Sequence, residues 1–106
     1  MKQPKINLQS LNEMQLHAQD AAALLKALAN ENRLMIMCTL IAGELSVGEL
    51  NEKVPLSQSA LSQHLAGLRD AGLVSTRKEA QTVYYSICGN EASKIIAVLQ
   101  SIYCPR

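Results

Sequence analysis

Length, composition and charge set the first limits on this protein. The chain has 106 residues, the length of one domain, and 48% of them are hydrophobic, which excludes general disorder and predicts a single packed domain over residues 1–106. Aromatic residues make up only 3%, so we expect an aliphatic core of packed helices, and the net charge of +1 is too small to indicate nucleic-acid binding by itself.

Two helices are predicted before Gly43. Leu and Ala recur at helical spacing from residue 8 to residue 29, which predicts the first helix. Asn30 is a typical cap for a second helix, which is predicted to run through Arg33 to Ala42. Its segment from Leu34 onward is apolar on nearly every side, so we expect this helix to be central and buried.

A short helix, a turn and a longer helix follow. Ser46-Val47-Gly48-Glu49 has the residues of a capping box, which predicts a third helix ending near Lys53. Val54-Pro55-Leu56 is predicted as a turn, because proline lacks an amide hydrogen and disfavours helix in the preceding residue. Ser57 then caps a fourth helix that ends near Ala71.

The pattern changes to period two after residue 72. Leu73–Lys78 and Thr82–Cys88 are predicted strands, joined as a hairpin by Glu79-Ala80-Gln81. Asn90 is predicted to cap a last helix that runs to Tyr103. The expected fold is therefore mainly α with a small β-hairpin, in the order ααααββα of a winged helix-turn-helix.

The fourth helix has one apolar side and one polar side. Leu61, Leu65 and Leu68 form a single stripe, while Ser and Gln side chains lie opposite it or in the first turn. Such side chains hydrogen-bond bases and phosphates when the start of a helix enters a major groove. The candidate DNA-binding residues are Ser57, Gln58, Ser59, Ser62 and Gln63, with Arg77 and Lys78 near the hairpin tip.

These residues also have ordinary structural explanations. The polar side of the helix would look the same if it were only solvated, and Arg77 and Lys78, beside Glu79, would suit any solvated strand. His64, at the edge of the Leu stripe, is expected to be a packed or hydrogen-bonded structural residue. The turn before the helix and the hairpin after it favour the DNA-binding interpretation.

The cysteines and the chain ends bear on location. Cys38, Cys88 and Cys104 are odd in number and widely spaced, which is not the pattern of a secreted disulfide framework. No apolar run reaches the roughly 18–20 residues that span a bilayer, and the polar start of the chain lacks the apolar core of a secretory signal. We therefore expect a cytoplasmic protein with no membrane segment.

Several motifs together resemble the ArsR/SmtB family of dimeric repressors. In chain order they are ALANENRL (Ala27–Leu34), ELSVGEL (Glu44–Leu50), LSQSALSQHL (Leu56–Leu65), LRDAGLV (Leu68–Val74) and RKEAQTVYY (Arg77–Tyr85). The resemblance covers nearly the whole chain. It implies a homodimeric transcriptional regulator that binds an inverted repeat in double-stranded DNA.

The metal sites of that family are missing from this sequence. The arsenic-type site has Cys within the segment that matches Glu44–Leu50, where this chain has Ser46 and Gly48. The zinc-type site needs Asp, His and Glu on the last helix, but residues 90–104 contain neither His nor Asp. We therefore expect no metal and no cofactor.

The resemblance extends to dithiol members of the family that respond to sulfide and persulfide. Positions matching Cys38 and Cys104 form the sensing pair there, which implies control of DNA binding by an oxidant or persulfide, and target genes for virulence, toxins or sulfur stress. From the residues alone, Cys38 is better explained as core packing, and Cys88 is expected to be structural. The wide apolar stripe of the last helix and the surplus Leu and Ala of the first helix are expected to pack partly on a partner subunit, so that a bridge would shift the dimer.

Two other functions stay open. One is a metal-responsive repressor that holds a soft ion between Cys38 and Cys104, and the other is a protein-interaction module that does not touch DNA. An enzyme is not expected, because Cys38 and His64 have no evident third group to orient them.

Overall fold

The computed structural model describes residues 7–105, and, apart from one added strand, its elements follow the predicted order. They are α1 (Leu8–Leu28), α2 (Glu31–Leu40), β1 (Leu45–Ser46), α3 (Val47–Lys53), α4 (Gln58–Asp70), β2 (Val74–Glu79), β3 (Thr82–Ile87) and α5 (Glu91–Tyr103). The mainly α fold with a helix-turn-helix and a β-hairpin is confirmed. The helix and strand bounds differ from the predicted ones by one or two residues.

The sheet has one strand more than the sequence indicated. The three strands are antiparallel in the order β1-β3-β2, and Leu45 of β1 lies opposite Tyr85 of β3. A strand of two residues has no alternating pattern, so its pairing depends on β3 and not on its own sequence. The extra strand ties the segment before α3 to the hairpin, called the wing below.

The turn of the wing is shorter than predicted. Glu79 pairs with Thr82, so Glu79 belongs to β2 and only Ala80 and Gln81 form the turn. Ala80 has a φ of 54°, a left-handed conformation that costs a residue with a Cβ about 1–2 kcal/mol. The wing tip therefore carries local backbone strain at one residue.

Three of the four predicted helix caps are confirmed. The Asn30 side chain accepts bonds from two backbone amides, Ser46 and Glu49 form the reciprocal capping box, and Ser57 accepts from the amide of Ala60. The prediction that the Asn90 side chain caps α5 was wrong. Asn90 has φ −110° and ψ −13°, whereas the three working caps have extended backbone, and its side chain makes no cap hydrogen bond.

The core is aliphatic, as expected. Its fully buried side chains include Ile36 and Met37 of α2, Leu50 of α3, and Leu61 and Leu68 of α4. Tyr85 and several other partly buried side chains pack against this cluster from outside. The core therefore holds α2, α3 and α4 together.

Two of the central helix's apolar side chains and most of α1 lie outside the core. The helix α2 is central and buries Ile36, Met37 and Leu40. Met35 within it and Ile41 just after it are exposed, so its burial is less complete than expected. In α1 only Leu28 is buried.

None of the helices within residues 7–105 combines the length and the apolar character that crossing a membrane requires.

Candidate DNA-binding surface and cysteine pocket

The polar residues predicted on α4 lie at its outer, N-terminal side. Ser57 Oγ accepts a hydrogen bond from the Ala60 amide at 3.2 Å and lies 3.4 Å from Ser59 Oγ. No acidic residue occupies the first turn, so the positive end of the helix dipole is open to an anion. The exposed side chains of this surface are Ser57, Gln58, Ser59, Ser62 and Gln63.

The inner side of α4 is packed in the core, which leaves its polar side facing outward. Leu61, Leu65 and Leu68 are at most 1% exposed and anchor the helix to the core. Asn51 Nδ2 donates to the carbonyl of Leu56 at 2.8 Å and holds the turn between α3 and α4. The role of Asn51 was not predicted from the sequence. Its position just before the proline-containing turn was a signal, because asparagine side chains often hydrogen-bond nearby backbone groups in turns.

Arg77 of the wing is bound by neighbouring side chains. Its Nε and Nη2 donate to the Glu44 carboxylate at 3.2 and 2.8 Å, and its Nη1 donates to Glu79 at 2.7 Å. The guanidinium also lies 4.5 Å from the centroid of the Tyr84 ring. These hydrogen bonds raise the pKa of Arg77 and lower the pKa of the Glu44 carboxyl.

Lys78 differs from Arg77 although the two are adjacent. Successive residues of a strand point to opposite sides, so Lys78 lies on the side of the wing away from Glu44 and Glu79. Lys78 is exposed, and both ion pairs found within residues 7–105 belong to Arg77. The wing therefore offers one paired and one solvated cation.

The structure brings Cys38 and Cys104 to the same pocket. Cys38 lies half-buried on α2, and Cys104 follows α5 and is exposed. The pocket has a volume of 170 Å³, and its lining residues are Leu34, Cys38, Ile96, Leu99, Gln100, Tyr103 and Cys104. Cys88 is exposed at the end of the wing and does not line this pocket.

The surroundings of Cys38 do not activate its thiol. Burial raises the pKa of Cys38, the nearby Cys104 raises it further, and a hydrogen bond with Gln100 partly opposes both. The Cys38 thiol therefore stays protonated at neutral pH. Its partner Cys104 is the more accessible of the two sulfur atoms.

Exposed apolar side chains cover parts of α1 and α5. On α5, Val98, Ile102 and Tyr103 are between 56% and 78% exposed. On α1 the exposed apolar side chains are Leu8, Leu11, Met14, Leu16 and Leu25. Two helices that expose this much apolar surface are typical of a chain that packs against a partner.

The histidines and acidic groups form no cluster suited to a metal. His17 is exposed, and His64 is partly buried and accepts a hydrogen bond from Arg33, in agreement with its structural interpretation. Within residues 7–105, no three side chains of His, Cys, Asp or Glu lie close enough together to hold an ion.

A helix-turn-helix whose second helix exposes a polar N-terminal side, followed by a β-hairpin, defines a winged helix-turn-helix DNA-binding protein. Residues 30–76, which hold the helix-turn-helix, match the model of the bacterial regulatory proteins of the arsR family. Together with the relatives described next, this match shows that the chain belongs to the arsR family.

The relatives are transcriptional regulators and not enzymes. The chain is 56% identical over 95 residues to the transcriptional activator HlyU of Vibrio cholerae, covering 90% of this chain and 88% of that one. The crystal structure of HlyU from Vibrio vulnificus has a TM-score of 0.81 at 58% identity, covering 89% of this chain and 98% of that one. Mb0332 of Mycobacterium bovis, described as a homodimeric winged helix-turn-helix DNA-binding domain, has a TM-score of 0.73 at 31% identity, covering 85% of this chain and 84% of that one.

Proposed function

We propose that this regulator is a homodimer that binds an inverted repeat in double-stranded DNA, and that oxidation or persulfidation of Cys38 and Cys104 releases it. Its target genes would be those of virulence or sulfur stress. The observation that carries DNA binding is the exposed row of Ser and Gln side chains at the open N-terminus of α4, above a fully buried Leu stripe.

In this proposal α4 is the recognition helix. Gln63 and Ser59 read base edges, since an amide bonds adenine at two positions and a hydroxyl bonds several bases. Ser57, Gln58 and Ser62 lie nearer the helix start or flank, where phosphate oxygens meet the helix dipole. All five side chains are exposed, as base and phosphate contacts require.

The two wing cations have different roles in this proposal. Lys78 is solvated and contacts a phosphate next to the major groove. Arg77 is bound by Glu44 and Glu79 and holds the wing against the segment before β1. The earlier prediction that Arg77 contacts DNA stays a prediction, but its two carboxylate partners favour the holding role.

The exposed apolar sides of α1 and α5 support the homodimer. Tyr103 lines the cysteine pocket on the last turn of α5, and it is exposed together with Ile102 before it, so a partner packed there would sense movement of that helix. Each subunit then presents one α4 helix. The two helices must reach successive major grooves about 34 Å apart.

The thiol chemistry needs one accessible and one resolving sulfur. The thiolate of exposed Cys104 attacks a peroxide oxygen, hydroxide or an alkoxide leaves and takes a proton from solvent, and Cys104 becomes a sulfenic acid. The Cys38 sulfur then attacks the sulfur of that sulfenic acid and forms the disulfide. The hydroxide of the sulfenic acid leaves as water, together with the proton of the Cys38 thiol. With a hydropersulfide, the Cys104 thiolate attacks the outer sulfur, a thiolate leaves, and Cys104 becomes a persulfide. The Cys38 sulfur then attacks the Cys104 sulfur of that persulfide, forms the disulfide and releases hydrogen sulfide.

A bridge links movement at the pocket to movement at the DNA. Bridged Cα atoms must lie within about 7 Å, so in this proposal the bond holds the end of α5 against α2. The apolar side of α5 moves with it, and the separation of the two α4 helices changes. A change of spacing removes one half-site contact and so weakens operator binding.

The test uses a DNA duplex selected by the reduced full-length protein from a random library. Fluorescence anisotropy measures the affinity of the protein for this selected duplex and for a scrambled duplex. The selected duplex is expected to bind about 10³-fold more tightly or better. Peroxide or a persulfide donor is expected to release the wild type and Cys88→Ser, but not Cys38→Ser or Cys104→Ser. Equal affinity for both duplexes would contradict DNA reading, and release of Cys38→Ser by oxidant would contradict the thiol switch.

A further inference from the structure

A side chain outside the DNA-binding surface connects α2 to the middle of α4. Arg33 extends from the first turn of α2, and its Nε donates to His64 Nδ1 at 3.4 Å. Its Nη1 donates to the carbonyl of Ala27 at 3.2 Å. The guanidinium therefore contacts α4 and, at the same time, the C-terminal end of α1, where a cation is favoured by the helix dipole.

Gly67 provides the space in which the guanidinium lies. A Cβ added at Gly67 would lie 2.8 Å from Cζ of Arg33, well inside the contact distance of two carbon atoms. His64 and Gly67 are three residues apart, so they share one side of α4, next to the Leu stripe. The absence of a side chain at Gly67 is therefore what allows Arg33 to lie against this helix.

The contact supplies what the Leu stripe lacks. Apolar packing is not directional, whereas a guanidinium has donors in a fixed planar fork. Some side-chain ends lie about 6 Å from the axis of α4, and a rotation of the helix by about 20° would move them by about 2 Å. That displacement is larger than the variation in length that a hydrogen bond tolerates. Base reading by Gln63 therefore needs a device that fixes rotation.

We infer that Arg33 is a positioning residue for DNA binding: seated in the Gly67 space and bonded to Ala27 and His64, it fixes the rotation of α4 without touching DNA. The inference rests on the proposed function, since it assigns a role to α4 in reading DNA. It also joins α1, which exposes an apolar surface for a partner, to the recognition helix.

Two substitutions remove this contact from opposite sides. Arg33→Met removes the guanidinium, and Gly67→Ala fills its space while the cation remains. Gly67→Ala is compatible with the helix, because alanine is favoured over glycine within helices and the displaced group is the end of a flexible side chain. Gly48→Ala is the matched control, since a Cβ there meets only Ser46 Oγ at 3.9 Å.

The measurement is the ratio of affinities for the selected and the scrambled duplex, over a salt series. Both variants are expected to lower the ratio about tenfold or more, the equivalent of at least one lost base contact, with the salt slope unchanged. Gly48→Ala is expected to keep the wild-type ratio. Arg33→Lys is expected to fail like Arg33→Met, because an ammonium lacks the rigid planar fork whose two separate nitrogens donate to Ala27 and His64.

The double variant separates a shared cause from two independent ones. Arg33→Met with Gly67→Ala is expected to be no worse than Arg33→Met alone, because both act on one contact. Additive losses, rescue by Arg33→Lys, or a shallower salt slope in Arg33→Met would each overturn the inference. If Arg33→Met does not fold, Gly67→Ala and Arg33→Lys decide. A wild type that does not distinguish the two duplexes contradicts the proposed function instead.

Discussion

Neutralising the two adjacent wing cations, one at a time, tests how this surface meets DNA. Each phosphate neutralised by a protein cation contributes about 0.9 to the slope of log affinity against log salt. Lys78 is solvated, so Lys78→Gln in a dimer is expected to reduce the slope by about twice that value, or about 1.8. Arg77 already lies between the Glu44 and Glu79 carboxylates, so Arg77→Gln is expected to leave the slope unchanged.

The same reasoning gives the size of the wild-type slope. Between Ser57 and Ile87 the only basic residues are Arg69, Arg77 and Lys78. With Arg77 paired, two cations per subunit remain, which limits the contribution of this region to at most about 3.6 for a dimer. Anisotropy titrations of the selected duplex between about 50 and 200 mM salt measure both quantities. Equal loss of slope in the two variants would show that Arg77 leaves Glu44 for a phosphate and would refute this reasoning.

Three further predictions concern the recognition helix, the wing tip and the dimer. Gln63→Ala is expected to cost about 1–3 kcal/mol of binding to the selected duplex and little on the scrambled one; equal losses on both duplexes would remove its role in base reading. Ala80→Gly is expected to raise the free energy of unfolding, measured in urea, by about 1 kcal/mol by relieving the positive φ, whereas the control Gln81→Gly is not. Ile102→Asp is expected to weaken the dimer at least about 100-fold, measured by sedimentation equilibrium, because it buries a charge in the interface. The monomer is expected to stay folded, since Ile102 is exposed in it. An unchanged dimer would place the interface elsewhere.

The parts of the fold that the sequence predicted are those that depend on neighbouring residues. The caps at Asn30, Ser46 and Ser57 join groups at most three residues apart, and the Leu stripe of α4 follows from helix geometry alone. The failure at Asn90 has the same origin. A side chain suited to capping was present, but the chain enters α5 with helical rather than extended backbone at that residue.

The parts that the sequence did not predict depend on residues far apart in the chain. Arg77 and Glu44 are separated by 33 positions, and they meet only because β1 pairs with β3. Arg33 and His64 are separated by 31 positions and meet through the packing of α2 on α4. Cys38 and Cys104 were placed together by family resemblance, and spacing alone gave no reason to pair them.

The paired charges change what a net charge of +1 implies for a DNA-binding protein. A strongly basic surface gains affinity from phosphates whatever the sequence of the DNA, and that affinity falls steeply with salt. Here one wing cation is paired with two carboxylates and Arg33 is used inside the fold, so less of the affinity can come from phosphates. In the proposed complex a larger share then comes from polar side chains on α4, whose hydrogen bonds depend on the exact placement of the helix. A nearly neutral DNA-binding protein therefore depends more than a basic one on residues that hold its recognition helix, and on a dimer that holds two such helices at the right distance.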